Sequence, residues 1–244
     1  MADSTLNIFL ISLLAGILPP LLWLLLFWLR EDKAQPEPKK TIALVFVLGM
    51  LSIFPAEVLA QFVADHLPAG TFILIATQAF VEELVKFFAA FMGAMWHNKA
   101  FDEPIDAMVY LITAAIGFSA LENALFMFST VKAGGILVGI ASNAMRFIGA
   151  TMLHTLSSAT LGAFIGFAFY RSKFIKDKRL VFGLILATML HTLYNELILM
   201  NVNNSGSHYL AVFGMMWVGI IVILFFFEKI KSIFVNKKEI NLIN

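Results

Sequence analysis

The chain predicts an all-α, polytopic membrane helix bundle, and three observations lead there. Hydrophobic residues make up 60% of its 244 residues and charged residues 14%, against roughly half and a quarter in soluble domains. Mean hydropathy is +0.88. Apolar runs near 6–29, 41–64, 71–96, 104–129, 135–170, 180–200 and 209–234 each reach the roughly 20 residues that a membrane-crossing helix needs. About seven transmembrane helices follow. No polar stretch is long enough to fold alone, so 1–244 is expected to be a single integral membrane domain. Its core is expected over about 71–200, with helices at 6–64 and 209–234 flanking it.

The first run is too long for a signal-peptide core and shows no small-x-small cleavage site before Arg30, so it reads as a retained span. Pro19-Pro20 is expected to kink it. In the second run Glu57 follows Pro55 and reads as a helix-packing group or a secondary contributor to a site. The fourth opens at Asp106, where a carboxylate favours the positive end of the helix dipole. The fifth, at about 35 residues, spans roughly 52 Å as a helix. Tilt, a break or a cytoplasmic extension absorbs the excess. Basic residues set the orientation. Arg30, Lys39, Lys40 and Lys99 lie on one side with Arg171, Arg179, Lys229 and Lys238, whereas Lys132 stands alone on the other. The N-terminus is therefore expected outside and the C-terminus in the cytoplasm.

Zero cysteines exclude disulfides, thiolate metal sites and a cysteine nucleophile. A net charge of +1 gives no reason to expect a nucleic-acid partner. The informative residues are polar groups inside the apolar runs. Each charge facing lipid costs roughly 2.5–3.5 kcal/mol on the mildest scale, so these groups must face one another or a wet cavity. Counted from the cytoplasmic ends, Glu82, Glu122, His154 and His191 all lie roughly 17–27 Å deep.

On the third helix, Lys86 lies angularly between Glu82 and Glu83, with Gln78 flanking. The ammonium can pair with one carboxylate while the other keeps a proton or activates water. A structural ion pair locking helix packing is the plainer alternative. On the fourth, Glu122 and Asn123 share a face with Ser119, bordered by Phe118; Asn123 reads as interhelical hydrogen-bonding glue. Glu122 needs a partner, for which Arg146 or a histidine is available. On the fifth, Asn143, Thr151, His154 and Ser158 line one face with Arg146 at its edge. On the sixth, His191 and Asn195 project together with Thr188 alongside, and such a pair can donate two hydrogen bonds to one oxyanion. Ala-Thr-Met-Leu-His-Thr-Leu occurs twice, around His154 and around His191, on helices that run antiparallel. Two histidines with carboxylates could also hold a divalent metal such as zinc. The absence of His-Glu-x-x-His makes that the weaker expectation, so no cofactor or metal is assigned. Ser157 and Ser158 lack the surroundings of a nucleophile, and His66, His97 and His208 sit at membrane boundaries.

Taken together, Glu82-Glu83-x-x-Lys86, Phe118-x-x-x-Glu122-Asn123, Arg146, His154, Gly162 and His191-x-x-x-Asn195 resemble the PrsW-type glutamic intramembrane proteases. These are distant relatives of the CAAX prenyl endopeptidases and of bacteriocin-processing membrane proteases. The matching stretch covers roughly 78–196, about half of the chain. The resemblance implies a multi-pass endopeptidase of a prokaryotic plasma membrane acting on a membrane-anchored protein. In the family's namesake that substrate is an anti-sigma factor, clipped on its extracytoplasmic side. Carried over, Glu82 and Glu83 activate water, while His191 with Asn195 stabilises the tetrahedral oxyanion. The CAAX relatives have Phe-x-x-x-His where this chain has Phe118-x-x-x-Glu122, so Glu122 and His154 both stand for the second base. Two other functions fit intramembrane polar residues. One is a proton- or ion-coupled transporter, against which no inverted repeat is visible. The other is a non-enzymatic immunity or scaffold protein, which leaves the shared depth unexplained.

Overall fold

The computed structural model describes residues 2–30, 36–96, 98–203 and 209–243; His97 and His208 lie outside them. All regular secondary structure among the described residues is helical. Its elements are α1 (Ala2–Arg30), α2 (Lys39–Leu51), α3 (Ile53–His66), α4 (Phe72–Ala90), α5 (Asp106–Gly134), α6 (Ile136–Arg146), α7 (Met152–Phe167), α8 (Lys173–Asn203) and α9 (Tyr209–Ile243). One π-helical turn, Phe91–Met95, ends α4, and a second, Phe147–Thr151, joins α6 to α7. Among the described residues, five segments are long and apolar enough to cross a membrane: Thr5–Leu25, Lys39–His66, Asp106–Gly134, Ile136–Phe167 and Lys173–Met200. Large apolar side chains such as Val58, Phe62, Met92, Phe182 and Val218 are exposed on the outside of the bundle, which suits a lipid surround.

Local chemistry explains the breaks. The second apolar run divides at Ser52, whose hydroxyl donates to the Gly49 carbonyl at 2.7 Å. Pro55 follows in the first turn of α3, where its missing N–H costs nothing. Pro19 and Pro20 both lie inside α1, which continues through them. The fifth run is one helical path from Ile136 to Phe167, its extra length taken up partly by the π turn.

Helix α5 is the centre. Every residue from Asp106 to Ala120 is buried, the mark of a helix surrounded on all sides rather than amphipathic. Helices α1, α2, α4, α6 and α7 pack around it. Small residues let them approach: a Cβ built on Gly162 of α7 would lie 2.7 Å from Met108 Cα of α5. At the start of α5, Asp106 does more than face the dipole. Its Oδ2 accepts the backbone N–H groups of Asp102 at 2.9 Å and Glu103 at 2.6 Å. One turn on, the Tyr110 hydroxyl donates to the Glu37 carboxylate, tying the segment before α2 to the central helix.

Candidate active site

Five helices, α4 to α8, contribute to one buried polar cluster. From α4, Lys86 Nζ meets Glu83 Oε1 at 2.6 Å, with both side chains fully buried. Ordinarily such burial is costly; here the remaining valences are filled. Glu83 Oε1 also accepts from Ser157 Oγ at 2.8 Å and from His191 Nδ1 at 2.7 Å. Its Oε2 accepts from Ser158 Oγ at 3.4 Å. Lys86 Nζ donates in turn to His154 Nδ1 at 3.0 Å and stands 5.2 Å from the ring centre of fully buried Phe118. Phe118 packs edge-on against His154.

From α5, Glu122 Oε2 receives two groups, Arg146 Nη2 at 2.7 Å and His154 Nε2 at 3.0 Å. Arg146 and His154 are eight residues apart, which puts them about 80° apart around an uninterrupted α-helix. The intervening π turn inserts one residue and brings the angle to about 20°. Arg146, expected at the edge of the face, is thereby rotated onto it. Asn123 supports this side: its Oδ1 accepts from Arg146 Nε at 3.3 Å and its Nδ2 donates to Thr151 Oγ1 at 2.9 Å.

Hydrogen-bond polarity fixes both imidazoles. His154 Nδ1 accepts from an ammonium, so Nε2 carries the hydrogen and donates to Glu122. His191 Nδ1 donates to Glu83, which leaves Nε2 facing the rest of the cluster. That Nε2 lies 3.6 Å from Glu82 Oε2, and the two rings stand 5.1 Å apart, inclined at 78°. Glu82 Oε2 is buried with no hydrogen-bond partner, as is the Thr188 hydroxyl one turn before His191. Each carboxylate except Glu82 is met by a Lys or Arg cation.

Glu82, Glu83, Lys86, Glu122, Arg146, His154 and His191 thus meet in one place. Asn195 lies one turn beyond His191 on α8, half-buried, and hydrogen-bonds to no described residue. Other groups expected on these faces turn elsewhere. Asn143 donates to the Ala15 carbonyl at 3.0 Å, Ser119 to Ile116 at 3.0 Å, and Gln78 reaches Ala60 at 3.5 Å. The sequence places Ser158 on the polar face but gives neither Ser157 nor Ser158 a role, and it gives Asn123 only a gluing one; all three position charged members of the cluster. The signal for the serines was their place one turn after His154, on the same face.

Carboxylates, imidazoles and a half-buried amide gathered on an apolar helical scaffold make a candidate intramembrane active site. Comparison with known proteins makes this specific: residues 37–227 match the family described as PrsW family intramembrane metalloprotease, and the chain belongs to that family. It is 31% identical over 192 residues to Protease PrsW of Geobacillus kaustophilus, covering 76% of this chain and 78% of the relative. It is 27% identical over 184 residues to Protease PrsW of Bacillus subtilis, covering 74% and 79%. Protease PrsW of Halalkalibacterium halodurans is 26% identical over 194 residues, covering 78% and 84%. No solved structure matches the chain. The protein is a multi-pass membrane protease that acts on membrane proteins.

The family description, a metalloprotease, also implies a metal. Glu82, His154 and His191 each offer a ligand atom within 4.8 Å of one another, and one carboxylate with two imidazoles is a donor set of zinc hydrolases. Both imidazoles are oriented by a second carboxylate, His191 by Glu83 and His154 by Glu122, as metal-bound histidines usually are. Glu82 Oε2 has no hydrogen-bond partner and lies 3.6 Å from His191 Nε2, a pair of atoms that a shared cation would satisfy. These residues fit a divalent ion, provided Lys86 yields His154 Nδ1.

Proposed function

We propose that this protease hydrolyses a peptide bond through a water activated by Glu82. One observation carries the reading: Glu82 alone among the clustered carboxylates has no Lys or Arg neutralising it, and its buried Oε2 lies without a hydrogen bond 3.6 Å from His191 Nε2. Glu82 accepts a proton from water as the oxygen adds to the scissile carbonyl. The Asn195 amide, one turn beyond His191, donates to the developing oxyanion. Collapse breaks the C–N bond, and the proton returns from Glu82 to the leaving amine. Glu83, held by Lys86, Ser157 and His191, positions His191 rather than acting on water. Glu122 and Arg146 do the same for His154. A divalent ion on Glu82, His154 and His191 would supply Lewis acidity and lower the pKa of its bound water to about 7.

The wider setting is part of the same proposal. The five apolar spans, together with α4 and α9, give seven crossings of the bacterial plasma membrane, and the basic loops put the N-terminus outside. The substrate is a membrane-anchored protein, by resemblance one of anti-sigma-factor type cut near its extracytoplasmic side. The test is cleavage of a single-span substrate by reconstituted wild type and Glu82→Gln, each with and without chelator. Loss of cleavage in Glu82→Gln under both conditions supports the base; full activity there refutes it. Chelator-sensitive cleavage by wild type, restored by zinc, supports the ion-assisted form.

A further inference from the structure

Glu57, on the membrane span formed by α2 and α3, has no place in the cluster just described. It is exposed and forms no hydrogen bond or ion pair with any described residue. It lines a cavity of about 440 Å³ together with Glu122, Leu125, Phe126, Ser129 and Arg146. Two facts give this cavity a function. Glu122 is shared with the catalytic cluster, so the cavity abuts the site. The wall also carries unbalanced charge. Arg146 is committed to Glu122 at 2.7 Å, to Asn123 at 3.3 Å and to the face of Phe126 at 4.4 Å, a self-neutral arrangement. Glu57 is the uncompensated charge in the lining. At membrane depth a carboxylate in that state favours whatever cation can reach it.

From Glu122 to Ser129 the lining runs seven residues along α5, roughly 10 Å. An extended peptide covers that length in about three residues at 3.3 Å each. We propose that this cavity receives the substrate chain, and that Glu57 selects a lysine or arginine within the few residues that flank the scissile bond. The proposal rests on the catalytic reading of the adjoining cluster.

The test uses the full chain in liposomes with single-span reporter substrates, in which Lys, Ala or Glu is scanned through the segment around the cut. Wild type should prefer Lys to Glu at one position by about fivefold in kcat/KM, the upper end for an exposed ion pair. Glu57→Gln should bring that ratio below twofold, and Glu57→Lys should invert it. Faster cleavage of the Glu reporter by Glu57→Lys also shows that the variant is folded. The same ratios are read as photocrosslinking yields in the Glu82→Gln background, which decides the matter even where no reporter is cleaved. Equal handling of Lys and Glu by wild type, or an unchanged Lys preference in both Glu57 variants, overturns the proposal. Undiminished cleavage by Glu82→Gln instead overturns the catalytic reading, and leaves the charge preference measurable.

Discussion

Glu82 and Glu83 are adjacent in sequence, yet their surroundings give them opposite sensitivities, and Lys86→Met exposes the difference. The substitution keeps the length of the side chain and removes the ammonium that lies 2.6 Å from Glu83 Oε1. With both side chains fully buried, stranding one charge costs about 3–5 kcal/mol. His191 and Ser157 still donate to the same oxygen, at 2.7 and 2.8 Å, and hydrogen bonds to a charged group are worth about 1.5–3 kcal/mol each. They hold the loss near the lower bound, about 3 kcal/mol. Glu83→Gln combined with Lys86→Met removes both charges and should cost less than the sum of the single changes, with a coupling of about 2 kcal/mol. Glu82→Gln, which breaks no pair with a Lys or Arg, should stay within about 0.5 kcal/mol of wild type while losing activity. Reversible unfolding of the purified protein in bicelles by increasing SDS reads all four. A Lys86→Met cost below about 1 kcal/mol, strict additivity in the double variant, or an equal cost for Glu82→Gln would refute the division of labour.

Asn195→Ala should lower single-turnover cleavage by about 10²–10³, the usual loss for one oxyanion donor, with little change in KM; equal rates would remove Asn195 from the mechanism. Gly162→Leu must push α7 off Met108 and should destabilise by about 3 kcal/mol in the same SDS titration. Burial raises the pKa of Glu37 above its usual 4.5, against hydrogen bonds from Asp106 and Tyr110 that pull it down. The folded protein therefore holds that proton to higher pH than the unfolded chain does. The associated stability is complete below pH 4.5 and is lost as pH rises through the folded value. Melting temperatures in detergent should fall over that interval in wild type, and Glu37→Gln should flatten the decline.

The helical class and the convergence of four polar helices were legible because membrane burial leaves few choices: apolar length marks the spans, and each charge inside one demands a partner. Which partner it takes was less legible. Glu122 could be assigned to Arg146 or to a histidine, and it binds both, because the π turn at Phe147–Thr151 shifts the helix phase between Arg146 and His154. No residue type in that stretch announces a π turn, so an angular count at 100° per residue leaves Arg146 at the edge. Ser157 and Ser158 were judged as possible nucleophiles and dismissed. Their positioning role depends on how closely α4 approaches α7, which periodicity does not encode. Asp106 shows the same limit at the start of α5, where its actual partners are the two preceding backbone amides.

The duplicated Ala-Thr-Met-Leu-His-Thr-Leu segments lie on α7 and α8, antiparallel neighbours joined by residues 168–172, with their two rings 5.1 Å apart. Two identical segments in that relation approximate a local twofold axis between the helices. The surroundings break the symmetry: one copy is gripped at Nε2 by Glu122, the other at Nδ1 by Glu83. Identical heptads therefore turn opposite ring nitrogens to their anchoring carboxylates. A search pattern drawn from this heptad would match the chain twice and could not distinguish the two roles. That information resides in the carboxylates across the groove, so exchanging those neighbours, with both heptads untouched, is the change that would interchange the rings.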